Sequence, residues 1–167
     1  IEPPFYGVHF IDKIMGAEVF FQGGQWYNHY LDQELGCLER PDLENNKTWE
    51  LARRAASAFT EAKVGLPLFG LPTIASALNI ATNLYGEEIL VAMLTEPEAA
   101  AHDLGIINDL LCEIHQWYRE HIPACQLQPV ISWNRTQPPG YGQLCGCTTQ
   151  LLSASLYEEF IMPLDDK

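Results

Sequence analysis

Two cysteines stand one residue apart in "QLCGC", at Cys145 and Cys147. In an extended strand residues i and i+2 point to the same side, so both thiols could face one pocket. Such a pair can ligate a soft metal, exchange with a disulfide, or touch a substrate. A zinc site takes three or four ligands, and this pair supplies two. No CxxC or HxC lies beside it to complete a set. The first reading is of two small buried residues. Substrate contact is the second, and metal or redox chemistry the third.

Trp133, Arg135 and Tyr141 lie at or just beyond the end of the apolar run "LQPVISW". Arg135 offers a planar fork for a carboxylate or phosphate, and a solvated loop arginine is the plain alternative. Trp133 and Tyr141 either line a site or cover its rim. His9 in "YGVHFID" and His29 in "QWYNHYLD" have the side chain of a ligand or general base, although a surface or satisfied histidine is commoner. The candidate substrate-binding residues are therefore Cys145, Cys147, Trp133, Arg135, Tyr141 and His9. No catalytic residue and no metal ligand is assigned.

The other titratable groups read as structural. His102, His115 and His121 fall on one long helical pattern, and no glutamate completes a zincin motif around them. Asp12, Glu18, Glu50 and Glu61 read as surface charges. Glu158 and Glu159 suit a helix first turn, where carboxylates favour the dipole. No Walker loop, GxGxxG, GxSxG or Ser/His/Asp set is present.

Charge narrows the partners. The 167 residues include 22 acidic and 9 basic side chains, for a net charge of −13. That field repels nucleic acid and anionic membranes, and leaves a small-molecule substrate. An acidic substrate would need local arginines, for which Arg53, Arg54, Arg119 and Arg135 are candidates. Five cysteines, an odd number, read as reduced thiols. The sequons at Asn46 and Asn134 then read as chance matches. With no apolar run near 18 residues and no signal-like segment, a cytoplasmic protein is expected.

The elements that would position these residues alternate short apolar runs with helical patterns. "AEVFFQ" (17–22) reads as a strand, and Trp26 to Asn46 as an irregular excursion. "TWELARRAASAFTEAK" (48–63) reads as a helix capped by Asn45 or Asn46. "VGLPLFG" (64–70) reads as a buried strand, and "LPTIASALNIA" as a helix begun by Pro72. After Gly86 comes a further helical run. A capping box from Thr95 to Glu98 then opens a long helix that stops before Pro123. Strands are expected at 127–133 and 143–147, with a final helix capped by Ser153 or by a Ser155–Glu158 box.

Several of these stretches, in this order, resemble the uroporphyrinogen decarboxylase superfamily. "FGLPTIASALNI" is similar to its glycine-proline-leucine-threonine segment. "NLYGEEILVAMLTEPEAAAHDLGIINDLLCEIHQWYREHI" resembles its next two helices with a "dPE"-type break. "QLCGCTTQLLSASLYEEFIMP" is similar to its "lSPe-x-[YF]-eEFvlP" stretch. The opening "IEPPFYGVHFIDKIMGAEVFF" fits divergent members.

The resemblance implies an α/β fold of the (β/α)8 barrel type, with Cys145 and Cys147 at a strand end facing the pocket. A complete barrel takes about 250 residues, so residues 1–167 would form part of one, its C-terminal half lying beyond Lys167. The decarboxylases' arginine-rich motif is absent, and "QLCGCTTQ" has no aspartate where theirs do. The resemblance thus implies a divergent decarboxylase-like or methyltransferase-type enzyme that needs no cofactor within this chain. Zinc and a corrinoid would enter only with a longer, methyltransferase-type protein, and a corrinoid protein would then be a partner. The alternative is a non-catalytic incomplete barrel that works as a homodimer or with another protein.

Overall fold

The computed structural model describes residues 6–62, 69–70, 73–124, 126–128 and 143–167. A 3-10 turn, Gly7–His9, runs into the short helix α1 (Phe10–Ile14). Strands β1 (Val19–Gln22) and β2 (Gln25–Asn28) follow as an antiparallel hairpin with Phe21 opposite Trp26 and Gln22 opposite Gln25. Gly23 and Gly24, at φ 59° and 86°, form its turn. Two successive left-handed residues are what a two-residue hairpin of this twist requires, and glycine adopts them without a Cβ clash.

Helix α2 (Lys47–Glu61) starts where the Asn46 side chain accepts from Trp49 N at 3.0 Å, and it buries Trp49, Ala52 and Ala56. Two short strands, β3 (Phe69–Gly70) and β4 (Thr73–Ala75), precede α3 (Ala77–Tyr85), which the Ser76 side chain caps. Gly86 ends α3, and α4 (Glu88–Thr95) and α5 (Pro97–His121) follow. The chain then forms β5 (Leu127–Gln128), β6 (Gln143–Cys145) and a 3-10 turn, Cys147–Leu151. It continues through α6 (Ala154–Leu156), a π turn (Tyr157–Ile161) and α7 (Met162–Asp165).

The core is helix on helix. Helix α5 places Leu104, Ile107, Leu110, Leu111 and Ile114 at three- and four-residue spacing, and all are shut from solvent. They pack with Leu78, Ile80 and Leu84 of α3 and Ile89 of α4. Each such side chain contributes about 1.5–3 kcal/mol by leaving water. Phe10, Ile11 and Ile14 bring α1 into the same core.

The (β/α)8 barrel expected from the resemblance is therefore corrected. Among the described residues strands pair only in twos: β1 with β2 antiparallel, β3 with β5 and β4 with β6 parallel. The run 17–22 fails as a barrel strand because the Gly23-Gly24 turn folds it back onto 25–28. The apolar faces of α3, α4 and α5 meet one another, where a barrel would set each against a sheet. The excursion expected from Trp26 begins after Asn28 for the same reason.

Other boundaries shift locally. The helix expected from Pro72 begins at Ala77, because Thr73–Ala75 pair with β6 and Ser76 supplies the cap. Thr95 ends α4, its hydroxyl donating to Val91 O at 3.1 Å, and so it is spent before α5 begins. Ser153 caps α6, as one of the two expected alternatives had it. Among the described residues no helix is long and apolar enough to cross a membrane.

Candidate functional site

Helix α3 carries Asn79 and Asn83 one turn apart on one face, and each reaches a different part of the chain. At the N-terminal end, Ser76 N donates to Cys145 O at 2.8 Å, continuing the β4–β6 ladder. Asn79 Oδ1 accepts from Thr148 N at 2.9 Å, and the Thr82 and Thr148 hydroxyls lie 3.4 Å apart. These contacts seat the turn after β6 on the helix. At the other end, Asn83 Nδ2 donates to Asp12 Oδ2 at 2.9 Å. The Asn83 carbonyl accepts from Asn28 Nδ2 at 2.6 Å, which ties β2 to the same place.

Asp12 is the centre of this cluster. It is wholly buried, and its Oδ2 lies 2.6 Å from His9 Nδ1. Helical spacing brings them together, since residues three apart share a face. Oδ1 is also shielded and has no hydrogen-bond partner among the described residues. Burial pushes the Asp12 carboxyl above its ordinary range, while His9 and Asn83 pull it partly back. Asp12 was expected as a surface charge. The structure corrects this, because Asp12 sits on the inner side of α1 with Phe10, Ile11 and Ile14.

The contact sets the chemistry of His9. With Asp12 ionised, Nδ1–H is the donor and Nε2 is left with its lone pair for a proton. The His9 side chain keeps 13% of its exposure, so the ring is sheltered yet reachable. The preceding backbone is unusual. Tyr6 holds φ 61°, left-handed for a non-glycine residue, and its ring meets Trp26 edge-on at 5.1 Å. Gly7 holds φ 56°, and a Cβ there would come within 3.3 Å of Trp26. Close packing of the hairpin indole thus fixes the turn that presents His9.

The remaining sequence candidates fall as follows. Cys145 ends β6 half-buried, and Cys147 lies exposed in the 3-10 turn. Strand alternation stops at Cys145, so it does not relate the two thiols. Trp133, Arg135 and Tyr141 lie outside the described residues. Among the described residues, Asn83 ties the Asp12–His9 pair and Asn79 ties the Cys145–Thr148 segment to the same helix, α3. His29 stacks on Phe20 at 4.7 Å in the hairpin. His115 is half-buried on α5, and burial pushes its pKa down.

Sequence reasoning takes Asp12 for a surface charge and does not single out Asn83. The His-x-x-Asp spacing in "HFID" was the available signal for Asp12, whereas nothing in the local sequence marks Asn83. Among the described residues no group of three or more His, Cys, Asp or Glu could hold a metal ion. No protein-family model, curated protein or solved structure matches this chain.

Proposed function

We propose that the chain carries a small-molecule site of the uroporphyrinogen decarboxylase-like class, decarboxylase-like or methyltransferase-type, in which His9 transfers a proton. The 2.6 Å contact between His9 Nδ1 and the buried Asp12 carries this reading. An imidazole backed by a buried carboxylate is a competent general acid or base, because the anion fixes the tautomer and stabilises the charged ring. When a carboxylate leaves as carbon dioxide, the electron pair left on carbon takes up a proton, which His9 would give and regain from water. In a methyl transfer the same ring would take the proton of the accepting thiol as its sulfur bonds the methyl carbon, while the donor's bond to that carbon breaks and the donor keeps the electron pair. The order of the resembling stretches along the sequence supports the class, and the proton-transfer chemistry rests on the dyad.

The test is a panel of small aromatic and heteroaromatic carboxylic acids incubated with the protein in deuterium oxide and followed by NMR. The expected result is loss of a carboxylate with deuterium at the vacated carbon, slowed about 10²- to 10⁴-fold in His9→Asn. Equal rates in the parent and His9→Asn would overturn the role of His9, and no turnover across the panel would overturn the decarboxylase-like reading.

A further inference from the structure

A cavity of about 620 Å³ opens between α2 and α5, far along the sequence from the His9 turn, and Arg53, Arg54, Glu50 and Glu61 line it with Trp117 and His121. Arginines are scarce in this acidic chain, and two other cations find carboxylates. Arg40 pairs with Glu113, and Lys167 with Asp109 at 3.0 Å, across a neighbouring cavity of about 560 Å³. Arg53 and Arg54 do not follow this pattern. Among the described residues neither makes a hydrogen bond or an ion pair, although Glu50 stands four residues before Arg54 on the same helix. Outside the described residues the sequence holds a single carboxylate, Glu2. Arg53 Nε is moreover shielded from solvent with no acceptor among the described residues.

The opposite wall is aromatic and fixed. The Trp117 and His121 rings stack at 4.3 Å and 11°. His121 Nδ1–H donates to Trp117 O at 2.8 Å, which leaves Nε2 as the atom able to meet a ligand. A guanidinium presents its N–H groups in a fork that matches two oxygens of one group. We infer that this cavity binds the oxyanion of a small molecule, a carboxylate or a phosphate, between Arg53 and Arg54, with the Trp117–His121 stack as its side wall. The two glutamates at the margin limit the charge the site tolerates and oppose a second anion.

The test follows the arginine Nε–H and Trp117 indole N–H resonances of the intact chain by ¹H–¹⁵N NMR. Inorganic phosphate and succinate are titrated separately against sodium chloride at matched ionic strength. Saturable shifts with phosphate or succinate, absent with chloride, are expected, and the tighter of the two identifies the source of the oxyanion. Arg53→Gln and Arg54→Gln should each weaken binding about tenfold, the loss of one charge-assisted contact. Glu50→Gln should tighten binding, and this variant keeps the test decisive if an arginine variant unfolds. Shifts no larger than those with chloride, or parent-like binding in the arginine variants together with no tightening in Glu50→Gln, would overturn the assignment.

Discussion

Asn83 Nδ2 donates to the same Asp12 oxygen, Oδ2, that faces His9 Nδ1, at 2.9 Å and 2.6 Å. All polar contacts described for this carboxylate therefore fall on one oxygen, and the other is buried without a partner among the described residues. A half-satisfied buried carboxylate is a poor way to stabilise a fold, since an unpaired shielded acceptor costs about 1–3 kcal/mol. Its value lies in orientation: Asn83 fixes the oxygen that in turn fixes the imidazole.

The first prediction concerns pH. Because burial is the largest influence on Asp12 and raises its folded pKa, the folded state holds this proton more tightly than the unfolded chain does. The stability it contributes is full below its ordinary value of 3.8 and is lost as pH rises through the raised folded value. Asp12→Asn does not titrate. The stability of the parent minus that of Asp12→Asn should therefore fall with rising pH above 3.8, by at most about 1.4 kcal/mol per pH unit, and then level off. Urea denaturation from pH 3.5 to 7 measures it. A constant difference would mean that the net influence on Asp12 is not the desolvation assigned here.

Asp103 offers a second prediction, on structure. It is wholly buried on α5 and accepts from Gly36 N at 3.0 Å, Leu38 N at 3.2 Å and His102 Nδ1 at 2.8 Å. It thereby staples the excursion after the hairpin to the core. Asp103→Ala should cost about 2–4 kcal/mol by stranding two backbone donors. Hydrogen exchange should show the Gly36 and Leu38 amides losing protection before the α5 core does. Unchanged protection there would mean that the excursion is held by its apolar contacts alone.

What was legible in the sequence follows from the range of the forces involved. Helices α2 and α5 could be read because their signals are local, the Asn46 cap and the apolar periodicity in α2, and Pro97, the periodicity and the stop at Pro123 in α5. The hairpin was present in the sequence as Gly23-Gly24 between two aromatic runs, and it went unread because the first run alone already resembled a buried strand. Pairing is a non-local property, so nothing within 17–22 distinguishes a barrel strand from a hairpin arm. The site shows the same division. His9 was a candidate from residue type, whereas burial of Asp12 depends on α3 arriving 71 residues later in the chain.

Two glycines test the backbone account in opposite directions. Gly24 needs its left-handed φ of 86°, so Gly24→Val should destabilise by about 1–2 kcal/mol and splay the hairpin. Gly105 lies within α5, and a Cβ built there meets nothing within 4 Å. Gly105→Ala should therefore stabilise by about 0.5–1 kcal/mol through helix propensity. Urea midpoints of both variants decide it, and the same sign for both would contradict the conformations assigned to them.

The last prediction reads the β6 end through its thiols. Cys147 is exposed while Cys145 is half-buried, and Asn79 holds the turn that begins at Cys147 onto α3 through Thr148 N. An alkylating reagent reaches a thiol in proportion to its exposure and its thiolate fraction. Peptide-resolved labelling should thus modify Cys147 well before Cys145 in the parent. Asn79→Ala removes the acceptor for Thr148 N but leaves the backbone bond from Ser76 N to Cys145 O. The turn should then open while the β4–β6 pair persists, so Cys145 labelling should accelerate towards that of Cys147, with Cys37 and Cys112 as unaffected exposed references. If Cys145 stays protected, Asn79 is not what shields it.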